Sequence, residues 1–490
     1  MVDLKKLIEE QFEIVGTEQC KIELKEKETY YINDTIHLTK PVHIEGNGTQ
    51  IENKAGTGII ISTSDVKINN VTISKGMISV LIDNKGRKIE NITIENSILK
   101  EYLLSGLAIG ASESSGETKK VKLDNCTFSA ATMKKEDGTD NVMALDILLT
   151  AGFTDRTDIE DSVLTDVCID HCAIQGHSIC NIMSVPGLSM NPDTTPQFRR
   201  CAIKNVSVIN STLTGSDDTV FAAQANYINN EECYCENFSA KNNEIEFGLT
   251  GLSASAGSPM TGSVEKIFFK NIDFSDNRLT GKKDVGETRT AIGIGAGSIT
   301  YKPTICNRCG IENVKIIGNE IIDCERGIKI SAGDSMIDAD APSEVTGNYV
   351  KKTIIRNNRL KDVQNCFIFY AAWIEGRRFD WNWGAHHTTQ TWLPPVTNHA
   401  KTTVIASENR LEDLVCENNE CDGFSYLLCA AAAMARGHGK VSKNIVSGNI
   451  VFRNNKISNG EDHVQIGNTF FEDWVTDGGE NLLETDQIQI

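Results

Sequence analysis

Basic residues are in the minority in this sequence: 48 lysines and arginines stand against 67 aspartates and glutamates, a formal net charge of -19. A general polyanion-binding surface is thereby disfavoured, and nucleic acid with it, because no basic stripe marks any segment. A local basic cleft stays compatible with that balance. Long apolar runs are missing too, so no membrane-spanning segment is expected. The opening MVDLKKLIEEQFEIVG lacks the apolar stretch of a secretory leader. No Walker A motif or dinucleotide fingerprint occurs, and Gly-rich phrases such as AIGIGAGS, from Ala291, stand outside any strand–helix–strand context. The leucine spacing of a leucine-rich repeat is absent, as are the hairpin turns of a propeller blade.

Cysteine is plentiful by contrast. There are 15, an odd number, and many sit inside apolar phrases, as Cys126, Cys201, Cys324 and Cys366 do. Buried thiols in a reducing compartment fit this usage. With the missing leader they favour a cytoplasmic protein, without excluding secretion. Cys306 and Cys309 form a CxxC with no second pair at zinc-finger spacing; with Cys324 nearby, a metal or a local disulfide stays open, and no metal or other cofactor is assigned.

What the sequence does contain is repetition. Short apolar runs ending in small residues recur: GLAIGAS from Gly106, ALDILLTAG from Ala144, GLSASAG from Gly251, GIKISAG from Gly327, FIFYAAW from Phe367 and YLLCAAA from Tyr426. A second series precedes many of them, such as KIFFKNIDFSDNRL from Lys266 and IENVKIIGNEI from Ile311. Together they read as two strands per period with an Asn-rich turn between. Strands this short cannot form a core alone, but stacked parallel strands can. The expected fold is therefore all-β: a single-stranded, right-handed parallel β-helix with long loops on one side. Asn319 and the pair Asn357–Asn358 are expected to stack in its turns, a structural role. Leu4, Leu7, Ile8 and Phe12 recur at helical spacing and predict an amphipathic N-terminal capping helix. The expected organisation is a cap region over 1–34, a β-helix over 35–470 and an acidic tail over 471–490 that loses the repeat.

Insertions at 151–163, 186–200, 225–238, 297–310, 333–350 and 371–400 follow corresponding strands, so they should wall a groove suited to an extended oligo- or polysaccharide. The largest carries four of the chain's 5 tryptophans. Indoles stack on the apolar faces of sugar rings, or else anchor the loop itself. Candidate substrate-binding residues are Trp373, Glu375, Arg377, Trp381, Trp383 and His386, joined by Arg436 and His438 from RGHGK. Asp217 and Asp218 directly precede a strand; if a bend turns both into the groove, repulsion would leave an acid beside a carboxylate, the division of labour that glycosidic cleavage needs. Asp193 and Glu231, from adjacent coils, are a second candidate pair. The catalytic candidates are thus Asp217, Asp218, Asp193 and Glu231.

SDDTVFAAQ, from Ser216, resembles the Asp-Asp element of the polygalacturonase-like glycoside hydrolases, within the pectin-lyase-like β-helix superfamily. That resemblance implies hydrolysis of a glycosidic bond by paired carboxylates, with an Arg-Ile-Lys element gripping a uronate carboxylate. This chain departs from the pattern: GLTGLSASAG stands where Gly-His-Gly is expected, and Arg326 and Lys329 of ERGIKISAG are spaced differently and fall in a later coil. Two other readings stay open. A polysaccharide lyase or epimerase would use Arg377, Arg378, Arg436 or His438 to neutralise a uronate. A non-catalytic β-helix would bind carbohydrate through tryptophan alone. A homo-oligomer, dimer or trimer, is compatible with any of them.

Overall fold

The computed structural model describes residues 2–15, 20–134, 140–141, 144–189, 196–224, 230–257, 262–282, 289–299, 304–335, 343–375, 404–436, 439–461, 463–472 and 475–484. Side chains at 15, 133–134, 140–141, 176–177, 215–224, 262, 299, 304, 375, 436, 472 and 475–477 lie outside that description. The chain winds as a right-handed parallel β-helix, and one coil shows the plan. Gly310–Ile317 forms a first lane, Glu320–Ser335 bends from a second lane into a third, and Ser343–Thr346 forms a fourth. The next coil repeats it with Tyr349–Arg356, Arg359–Glu375 and Val404–Ser407, each paired in parallel with its predecessor. The first three lanes run together as a 36-stranded sheet, and the fourth is a nine-stranded sheet from Ile159–Glu160 to Val475–Asp477.

The short fourth lane corrects the reading of two strands per period. Its strands are two to four residues long, for example Thr304–Asn307 and Ser343–Thr346, both inside segments expected to be insertions. So brief an alternation is lost among polar neighbours in a sequence. The repeat also runs past Phe470: Ile445 pairs with Leu482 and Val446 with Leu483.

Like stacks on like inside the coil. Leu252, Ile292, Ile328, Phe367 and Leu428 follow one another in register and are buried. Each inward side chain meets the one below, about 4.8 Å away, so a single continuous core serves the whole stack.

Two asparagine ladders close the corners. At the turn into the second lane, the backbone N–H of Ser211 is accepted by Asn243 Oδ1, and the relay continues through Asn277, Asn319, Asn358 and Asn419 to Asn455 at 2.9–3.1 Å. A matching relay at the turn into the first lane runs from Cys309 through Asn348, Asn409 and Asn444 to Asn481. The residue before each ladder position has positive φ: 57° at Asp276, 71° at Gly318, 57° at Asn357 and 58° at Asn418. Gly, Asn and Asp tolerate that conformation best. Stacking of Asn319 and Asn358 is thus borne out.

Leu4–Val15 is the expected helix. Asp3 Oδ1 accepts the N–H of Lys5 at 3.0 Å as its cap. Leu4 and Ile8 are buried in the core of the stack, with Leu7 and Phe12 packed against it. All 15 cysteines are thiols, and only Cys168 is not buried. No described helix is long and apolar enough to cross a membrane.

Candidate functional site

Alternation along Glu320–Ser335 sets up the most unusual surface in the described residues. Ile328 and Ile330 point into the core, which turns Lys329 outward. Its outward row is Ser253, Gly293, Lys329, Ile368 and Cys429, in register on successive coils. A parallel row holds Ser255, Gly295, Ser331, Tyr370 and Ala431. Cβ atoms at Gly293 and Gly295 would meet nothing nearer than 3.8 and 3.7 Å. Packing therefore does not require glycine there; the missing side chains keep the surface low on the approach to Lys329.

Beyond Lys329 the outer face rises into a separate apolar cluster of Ile368, Tyr370, Trp373, Cys429 and Ala431. Lys329 Nζ lies 3.8 Å from the Trp373 ring centroid and Arg326 Cζ lies 4.5 Å from it, so two cations share one indole. Lys329 also pairs with Asp334 Oδ2, which Ser331 Oγ approaches at 3.5 Å. Tyr370 meets Trp373 edge-on, centroids 5.4 Å apart. Lys329 is 8% exposed, Asp334 6% and Trp373 4%. In this dry setting Trp373 Nε1 and Asp334 Oδ1 have no hydrogen-bond partner among the described residues. An unpaired donor and acceptor at such depth are costly unless something else satisfies them. Burial pushes the Cys429 thiol up to about 11, with a hydrogen bond from Tyr370 acting the other way.

One rung upstream, Arg289 is fully engaged. It grips Glu325 through Nε at 2.9 Å and Nη2 at 2.8 Å. Burial raises the Glu325 pKa, but the Arg289 bonds outweigh it and hold the carboxyl below its ordinary value. Arg289 is therefore a brace behind Arg326, whose N–H it accepts at 2.9 Å through its carbonyl oxygen.

Of the residues expected from the sequence, only Glu231 and Trp373 have described side chains. Asp217 and Asp218 lie in Thr212–Gln224 at the bend from second to third lane, with side chains outside the described part. Asp193, Arg377, Trp381, Trp383, His386 and His438 lie outside the described residues. Glu231 is on the fourth lane, where Arg199 Nε approaches at 3.3 Å and Lys266 Nζ at 3.7 Å. Glu375 and Arg436 end their strands in register with each other, their side chains likewise outside. Trp373 alone, with its side chain described, falls in the cluster above. Lys329, Asp334 and Tyr370 were not singled out as site residues. Their signal is a cation on the outward phase of an otherwise apolar, alternating run.

Two other polar groups are less suited to a substrate. Tyr102 donates to Asp146 Oδ1 and Asn181 Nδ2 to its Oδ2 at 2.8 Å, all within the stack and without exposure. Burial raises the Asp146 pKa, opposed by hydrogen bonds from Tyr102, Asn181 and Ser178. On the surface, ligand atoms of Asp124, Asp170 and His171 lie within 4.8 Å of one another. They are already engaged: Asp170 Oδ1 accepts from Asn210 at 3.0 Å and lies 2.7 Å from His171 Nδ1, while Lys122 reaches Asp124 at 2.7 Å.

No protein-family model matches the chain and no curated protein matches it. Solved structures similar to it include a mannuronic-acid-specific family 6 polysaccharide lyase from human gut microbiota, at 11% identity and TM-score 0.28, covering 94% of this chain and 82% of that one. PfbA, a surface adhesin of Streptococcus pneumoniae, is 10% identical with TM-score 0.29, covering 94% and 88%. The periplasmic alginate epimerase AlgG is 9% identical with TM-score 0.23, covering 96% and 83%. The expectation of a glycoside hydrolase-type enzyme is corrected: the enzymes named among these structures are lyases and epimerases. Among the four carboxylates expected to act, Glu231 is the one whose side chain is described, and cations hold it on the fourth lane.

Proposed function

We propose that the chain is a carbohydrate-active enzyme that acts on uronic-acid polysaccharide by removing the proton alpha to the carboxylate, as a lyase or a C5 epimerase. The observation that carries this is the pair of cations, Arg326 and Lys329, on the Trp373 face beside Tyr370. A proton alpha to a carboxylate is weakly acidic, because its loss puts a second negative charge on the same group. Cations fixed at the carboxylate oxygens stabilise that charge as it develops. A guanidinium can do so through two parallel hydrogen bonds.

In this reading Trp373 holds the two cations, and the low track of Gly293 and Gly295 admits the polymer. Tyr370, whose hydroxyl hydrogen-bonds the Cys429 thiol, is assigned the proton transfer. In elimination, the C5–H electrons become the C4–C5 double bond, the C4–O bond breaks, and the departing oxygen takes a proton. In epimerisation, a proton returns to C5 from the opposite face.

Uronic-acid polymers in D2O test the proposal. Both reactions require C5–H exchange or its loss, and elimination adds the ultraviolet absorbance of an unsaturated product. Arg326→Ala should abolish both signals while circular dichroism stays unchanged. Full activity in that variant, or no C5 chemistry on any uronic-acid polymer, would sink the idea. Binding without C5 chemistry would instead make the protein a carbohydrate binder.

A further inference from the structure

The outward row beside Lys329 continues past the cation pair. Thr290, Arg326, Asn365, Tyr426 and His463 are in register on five successive coils. Lys329 and Trp373 are buried, but this row opens toward solvent as it ascends. Asn365 is half-buried, its amide held by the Glu325 carbonyl at 3.1 Å. Tyr426 is 38% exposed, an unusual setting for a ring on this face, and the His463 side chain is 58% exposed, its Nε2 3.3 Å from the exposed Glu461 carboxylate, which an incoming uronate would have to displace. The two rings lie 5.4 Å apart, tilted by 40°.

We infer that Tyr426 and His463 form an accessory subsite for an acidic oligosaccharide whose reacting uronate sits at Arg326. This rests on the reading proposed above and adds a direction to it: the sugar chain runs along the axis of the stack, toward its C-terminal end. Three observations converge. The row is straight, because parallel coils repeat in register. Its spacing of about 4.8 Å per coil is close to the rise of one sugar ring in an extended chain, so Tyr426 lies about two rings from Arg326. Its chemistry changes from guanidinium to amide to phenol to imidazole, a set that offers donors to carboxylates and hydroxyls and a ring face to the C–H side of a pyranose. The ring face is the element that separates a sugar from a simple anion, which would need only the cations.

Affinity measured against a size series of oligouronates, from disaccharide to octasaccharide, tests this. Tyr426→Ala should lower the affinity for the longer members roughly three- to ten-fold more than for the disaccharide, and Tyr426→Phe should restore most of the difference. An equal effect at every length, or none, overturns the subsite. C5 exchange is followed in the same samples: if it persists without length dependence, the subsite fails alone. If no oligouronate binds or reacts, the parent reading fails and the subsite falls with it. A length effect equally strong with neutral oligosaccharides overturns the assignment to acidic ones.

Discussion

Replacing Asn358 by alanine should be among the most damaging changes of comparable size in the molecule. Asn358 Oδ1 accepts both the backbone N–H and the side-chain amide of Asn319, at 2.9 and 3.0 Å. Its own amide donates to the Ile316 carbonyl at 2.9 Å and to Asn419 Oδ1 at 3.0 Å. Asn319 and Asn358 are each 1% exposed, so water does not replace the lost acceptor. Two N–H groups of Asn319 would lose their partner, at about 1–3 kcal/mol each, giving a loss of roughly 2–6 kcal/mol before relaxation. Asn357 provides the control: it is exposed, and its contribution is its tolerance of φ 57°, so Asn357→Ala should cost only about 1 kcal/mol. Urea unfolding reads the totals, and amide exchange at Asn319 reads the local effect. Asn358→Ser should recover part of the loss, because Ser211 fills the equivalent place four coils earlier and accepts the N–H of Cys172 at 3.0 Å. A cost for Asn358→Ala no greater than that for Asn357→Ala, with Asn319 still protected, would refute the argument that the ladder holds the corner.

Other consequences are simpler to check. Asp146 has a raised pKa, so the native state keeps a proton that the unfolded chain releases; its stabilising effect is present below about pH 4 and is lost as pH rises through the native value. Asp146→Asn should flatten that part of the stability–pH curve. Lys329→Met strands the buried Asp334 and should destabilise by about 3–5 kcal/mol, with much of the loss recovered by adding Asp334→Leu; urea midpoints of the single and double variants decide this. A Cβ at Gly187 would fall 2.1 Å from Phe198 Cγ, so Gly187→Ala should cost about 1–3 kcal/mol by thermal melting. A thiol reagent should label Cys168 quickly in the native protein and the other cysteines only on unfolding.

The coil architecture was legible because its cause is periodic. Each turn places a residue at positive φ, often Asn, Asp or Gly and elsewhere Lys, Arg or Glu, and each strand must alternate, so phrases such as GNEI and NNRL recur in the sequence itself. Leu4 and Ile8 announced the cap by helical spacing. The fourth lane escaped notice because two to four alternating residues carry too little signal. The cation cluster escaped for a different reason. Arg326, Lys329 and Asp334 are near in sequence, but Trp373 reaches them only because the next coil stacks in register, and the length of the intervening connection hides that register. For Asp217 and Asp218 the sequence poses only a condition, a bend that turns both one way; Thr212–Gln224 does bend there, and the two side chains lie outside the described residues.

The connections between the third and fourth lanes range from two residues, 437–438, to 28 residues, 376–403, yet Val404–Ser407 and Gly439–Ser442 stay in register across both. Length variation at this corner is thus absorbed without disturbing the asparagine ladders at the turns into the first and second lanes. The molecule behaves as a ruler with detachable marks: the scale is set by asparagine and buried isoleucine, and whatever is fixed at that corner is carried at a spacing of one coil. New segments grafted there should inherit their position from the coil, so recognition could diversify without the fold being solved again.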